Sequence, residues 1–115
     1  MGTSGYEHDA LAGLARCACA LNRAQEALAY TNQLWSRLQK DASGLEFPIL
    51  AYESCANVLI QFNRQPSAVP VIHRGYAELM ARAARIEDPV WHDSYLKEVP
   101  EHKRMLVLWQ KNANL

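Results

Sequence analysis

Long apolar runs are missing from this chain of 115 residues. The longest is a few residues, far short of the roughly 20 that a helix needs to cross a bilayer, so no membrane partner is expected. An excess of either charge is missing too: twelve basic residues stand against twelve acidic ones. Nucleic-acid binding rests on a basic surface that neutralises phosphates, and a neutral, charge-mixed chain is not expected to bind nucleic acid directly. Glycine is scarce, five in all and isolated apart from the pair near the start, which excludes a phosphate-cradling loop. Cysteines number only three, Cys17, Cys19 and Cys55. Residues two apart on a helix point away from each other, and with no C-x-x-C or nearby histidine pair neither a metal nor another cofactor is expected. The cysteines read as free buried thiols of a reducing compartment, and with no signal-peptide pattern the expected location is cytoplasmic. His8, His73, His92 and His102 are scattered. None has a recognisable nucleophile and orienting group, His73 reads as a satisfied, partly buried side chain, and no catalysis is expected. Hairpin dipeptides and sustained alternation are absent as well, which argues against strands.

What the chain does have is a copy of itself. Leu21-Asn22-Arg23-Ala24-Gln25-Glu26-Ala27-Leu28 recurs 41 positions later as Phe62-Asn63-Arg64-Gln65-Pro66-Ser67-Ala68-Val69. Leu11, Leu14, Ala15 and Ala18 likewise fall on Tyr52, Cys55, Ala56 and Leu59. Thr31, Trp35 and Leu38 fall on Ile72, Tyr76 and Leu79. A fixed period of this size marks a stacked helical repeat, whose units bury their apolar faces only against their neighbours.

With half the residues hydrophobic and about a fifth charged, the composition is that of a globular domain. Residues 1–6 read as a flexible start and 7–115 as a single helical-repeat domain. A first helix is expected from about Glu7 to Asn22, with Leu11, Leu14, Ala15, Ala18 and Leu21 on one face. A turn at Asn22-Arg23 leads to a second helix from about Ala24 to Lys40, ended by Asp41-Ala42-Ser43-Gly44 with Gly44 as the left-handed cap. The second pair covers 46–85: one helix from Pro48 to about Phe62, and its partner to Arg85. Pro70 conflicts with a helix interior, so regular helix is expected only from about Ser67 to Val69, or else a kink near the helix start. The third pair covers 89–111. Asp88 caps its first helix, which runs from Pro89 to Glu98, Pro100 restarts the chain, and a last helix reaches Lys111. Turns this short imply antiparallel pairs, six helices in all.

This pattern resembles the tetratricopeptide repeat, on Leu11, Leu14, Ala15 and Ala18 with Ala27, Thr31 and Leu34, and on Tyr52, Cys55, Ala56 and Leu59 with Ala68, Ile72 and Gly75. Ala15 facing Ala27, and Ala56 facing Ala68, let paired helices approach closely. The period departs from the family's, about 34. The resemblance implies an all-α, short right-handed α-solenoid of antiparallel pairs. The stretch Arg82-Ala83-Ala84-Arg85-Ile86-Glu87-Asp88-Pro89, with Ser94-Tyr95-Leu96-Lys97-Glu98-Val99-Pro100-Glu101-His102, resembles the C-terminal repeat region of bacterial multidomain signalling proteins. Those carry an ATPase module together with a nucleotide cyclase or a transcriptional activation domain, elements this chain does not contain.

The resemblance implies a concave face built by the first helix of each pair: Asp9, Ala12, Arg16 and Cys19, then Leu50, Glu53, Asn57 and Ile60. Asp9, Arg16, Glu53 and Asn57 are the candidate partner-binding residues. Arg16 can hold a carboxylate bidentately and Asn57 can bond a peptide backbone. Alternatively the four form only a charge network among themselves. Trp35, Trp91 and Trp109 are expected to pack between helices, unless exposure marks an interface. The expected function is non-catalytic: a protein or peptide interaction or scaffolding module, with neighbouring domains of a longer chain as possible partners. The alternatives are a free-standing homodimeric adaptor and a small-molecule-sensing effector domain with an apolar groove.

Overall fold

The computed structural model describes residues 3–40 and 47–112, with side chains from Glu7. Among them are six helices and no strand: α1 (Thr3–Ala20), α2 (Ala24–Lys40), α3 (Pro48–Gln61), α4 (Gln65–Ala83), α5 (Pro89–Lys97) and α6 (Pro100–Asn112). None is long and apolar enough to cross a membrane. The expected cap at Gly44 lies outside the described residues.

α1 starts four residues before the expected Glu7. It ends where Asn22 turns into the left-handed region, at φ 59°. The Asn22 and Arg23 amides then bond the Cys19 and Ala18 carbonyls at 3.0 and 2.8 Å, a Schellman closure of the orphan carbonyls. α3 ends the same way: Asn63 has φ 62°, and the Asn63 and Arg64 amides bond the Ile60 and Leu59 carbonyls at 3.1 and 2.6 Å. Asparagine serves because its short polar side chain tolerates this conformation better than most. Asp88 caps α5 as expected, accepting from the amides of Val90 and Trp91.

α4 differs from expectation. It begins at Gln65 and runs through Pro70 to Ala83. Pro70 falls in the second turn, where its missing amide removes one rung, and the helix carries on through the gap.

α3 lies at the centre and packs against α1, α2, α4 and α6. Ten of its 14 residues are buried, which is why its apolar residues surround the axis instead of forming one stripe. The core joins Leu11 and Ala12, Leu34 and Leu38, Ile49, Tyr52 and Cys55, Val71, Ile72 and Leu79, and Met105 of α6. α5 and α6 touch. Yet α5 buries no residue, whereas α6 packs on both α3 and α4.

Several expected burials fail. Leu14 and Leu21 are 45% and 64% exposed. α1 is packed by α2 and α3, and its inward arc is Leu11, Ala12, Ala15 and Ala18, leaving Leu14 on the flank. Cys17 is exposed and Cys19 half-buried, so only Cys55 is the buried thiol expected. His73 is exposed and meets the ring of Trp109 edge-on at 4.8 Å.

Candidate docking face

Only a narrow stripe of α3 remains accessible, through Leu50, Asn57, Ile60 and Gln61. Residues four and seven apart share a helix face, so burial of the rest follows from the helices on either side. α1 flanks the stripe on one edge. Arg16 Nη1 donates to Ser54 Oγ at 2.9 Å, and that hydroxyl donates to the Leu50 carbonyl at 2.7 Å. One turn on, the Cys19 thiol donates to Gln61 Oε1 at 3.1 Å and Gln61 Nε2 returns a bond to the Cys19 carbonyl at 3.2 Å. α6 flanks the other edge, where Arg104 donates through Nε to Glu53 Oε1.

The four candidate residues are therefore spread across the face. Asp9 and Arg16 line a groove with Ala12, Phe47, Leu50 and Ala51. Asn57 lines a different groove with Lys103, Arg104, Val107 and Leu108. Glu53 is 5% exposed and engaged with Arg104, so it serves as an anchor for α6 and not as an open ligand contact. Its hydrogen bond raises the Arg104 pKa above the ordinary guanidinium value. A carboxylate this buried needs a cation, and withdrawing the partner would leave an uncompensated charge inside. Ala12, also expected on the face, is buried.

Lys103, Arg104 and Val107 were not singled out in the sequence. The available signal was their spacing: Lys103 with Val107, and Arg104 with Leu108, are four apart and so share one side of a helix.

Two of the thiols, Cys19 and Cys55, are poor nucleophiles. Burial pushes Cys55 up to about 12, and desolvation also raises Cys19. Among the described residues no group of three or more histidine, cysteine, aspartate or glutamate side chains converges on a metal-sized site. Glu53 is engaged by Arg104, and His73 meets the ring of Trp109.

A second surface lies on α5. Trp35 packs edge-on against Tyr52, and Trp109 stacks on Tyr76 at 4.1 Å, both as expected of core-flanking rings. Trp91 does not pack: it and Val90 are each 73% exposed. They border a cleft with Ile86, Pro89, Tyr95 and Val99. The helix that displays them is fixed at both ends. His92 Nδ1 donates to the Ala83 carbonyl at 2.8 Å, and His102 Nδ1 of α6 donates to the Tyr95 carbonyl at 2.7 Å.

No protein-family profile, curated protein or solved structure matches this chain.

Proposed function

We propose that the chain is a non-catalytic, tetratricopeptide-like interaction module, a short right-handed stack of antiparallel helix pairs that docks an extended peptide of a cytoplasmic partner. The resemblance of its C-terminal stretch supports reading it as the C-terminal part of a larger bacterial signalling or regulatory protein. The observation that carries this reading is the recurrence of one turn geometry at the 41-residue interval of the sequence repeat. The bonds from Leu21 to Cys17, Asn22 to Cys19, Arg23 to Ala18 and Ala27 to Arg23 have counterparts from Phe62 to Val58, Asn63 to Ile60, Arg64 to Leu59 and Ala68 to Arg64. Two units built alike and packed side by side leave a groove between their first helices, as α1 and α3 do at Asp9, Arg16 and Leu50. Contacts across that seam, Arg16 to Ser54 and Cys19 to Gln61, join residues 38 and 42 apart, close to one repeat, which fits first helices running alongside each other.

Arg16 supplies a charged donor for a peptide carboxylate and Asn57 a donor and an acceptor for peptide backbone. Selection of binders from a random peptide library, followed by titration, tests the reading. Arg16→Ala and Asn57→Ala should each weaken the selected peptides about tenfold, or about 1.4 kcal/mol. Asn32→Ala, on the exposed side of α2, should leave them unchanged. Failure to select any peptide, or peptides indifferent to Arg16 and Asn57, would overturn it.

A further inference from the structure

The two neighbouring helices at the C-terminal end carry opposite surfaces. Around the exposed Val90 and Trp91 of α5 stand Glu87, Asp88, Asp93 and Glu98, all exposed, against the cations Arg85 and Lys97. Lys97 is itself held by Asp93 at 2.8 Å, so the surroundings of the indole are net acidic. α6 inverts this. Lys103, Arg104 and Lys111 are exposed against the one acid of the helix, the half-buried Glu101, and Arg104 also offsets the buried Glu53 of α3, so Lys103 carries most of the positive charge at the groove. Lys103 and Arg104 border a groove of about 360 Å³ whose apolar lining is Leu108 and the 46% exposed Val107, with Asn57 of α3 on its far side. The chain's zero net charge thus conceals an acid-framed aromatic knob and a base-framed apolar groove.

We propose that these two surfaces bind each other between copies: Trp91 of one molecule inserts beside Val107 and Leu108 of another. The acids around Trp91 then face Lys103, with Arg104 shared with Glu53 beside it. The occupant is a second copy because the chain itself carries both an exposed indole with acidic neighbours and an apolar groove with a basic border. An indole is a large apolar group whose N–H needs a partner on burial, and the Asn57 side-chain carbonyl at the groove edge is an acceptor of that kind. Knob and groove lie on different elements, so the contact is heterologous. It closes into a dimer when both copies exchange knobs, and otherwise grows head to tail. One such contact buries an area at the small end of specific interfaces, below about 1,200 Å², so the association is weak and reversible. Charges exposed at the rim are screened by salt, which weakens it further.

The inference goes beyond peptide docking and survives its failure, since the assay contains no peptide. Light scattering behind size-exclusion chromatography would follow the mass of the full chain with rising concentration. The mass should climb from 13.0 kDa toward twice that value or more. Trp91→Ala and Val107→Glu should each return it to the monomer, with helical content unchanged by circular dichroism because both positions are exposed. The deciding measurement mixes the two variants. Trp91→Ala keeps the groove and Val107→Glu keeps the knob, so the mixture should recover a dimer that neither forms alone. A chain that stays monomeric throughout would overturn the proposal. So would self-association indifferent to Trp91, or a mixture that stays monomeric.

Discussion

At Gly75 three helices come into contact, and a Cβ added there would lie 2.8 Å from Tyr52 Cβ of α3 and 2.7 Å from Met105 Cε of α6. The methionine tip can swing aside, but the Tyr52 Cβ moves only with its backbone. Gly75→Ala should therefore destabilise the fold by about 1–3 kcal/mol through overpacking. The gain of about 1 kcal/mol expected from removing an interior helical glycine works against this and does not cancel it. Urea denaturation measures the difference directly; an unchanged or higher midpoint would mean that α4 and α6 are less closely apposed than described. In the sequence Gly75 fell at a packing position of the repeat. Nothing in the pattern told that α6, far along the chain, supplies the atom it makes room for. Trp91 is the converse case: a residue type that usually packs, left outside because α5 is only nine residues long and buries none of them.

The turns are the elements that the sequence described best. Asn22-Arg23 and Asn63-Arg64 were visible as a repeated pair, and both asparagines occupy the left-handed region, at 59° and 62°. A left-handed residue with a Cβ carries a cost of about 1–2 kcal/mol, which asparagine partly relieves and glycine escapes. Asn22→Ala and Asn63→Ala should each cost about 1 kcal/mol, and Asn22→Gly and Asn63→Gly should be neutral or slightly stabilising. The informative outcome is the match between the two sites in thermal or urea unfolding. An alanine cost at one turn and none at the other would show that the two units are not energetically alike. Pro70 lies inside α4, which begins at Gln65 and not at the expected Ser67 to Val69. The cost of a proline is local, whereas α4 is held along its length by Ala68, Val71, Ile72, Gly75 and Leu79 in the core. Burial there outweighs one missing rung.

Over the whole molecule, stability should fall as the solution becomes alkaline. Burial raises Cys55 from 9.0 to about 12. Desolvation, the largest effect, also raises Tyr52. In the unfolded chain these groups lose their protons first, so between pH 9 and 12 the native state holds more protons than the unfolded one. A folded pKa above the unfolded value gives stability that is fully present below the unfolded pKa and lost as pH rises. Urea midpoints should decline from about pH 8.5 upward, and Cys55→Ala, less stable at neutral pH, should show a shallower decline. A slope unchanged by Cys55→Ala would mean that the thiol is not shielded in the native state.

The sequence by itself determined the helices, the two Asn-Arg turns, the Asp88 cap and the burial of the small residues Ala15, Ala27, Ala56 and Ala68. All of these rest on interactions within a few residues or on a pattern repeated along the chain. Only the tertiary structure decided which side of each helix faces solvent. It placed α6 against α3 and α4, drew Glu53 inward to Arg104, split Arg16 and Asn57 between two grooves, and left Leu14, Leu21 and Trp91 exposed. Burial depends on which helices arrive from distant parts of the chain, and helical periodicity identifies an apolar face without identifying what covers it.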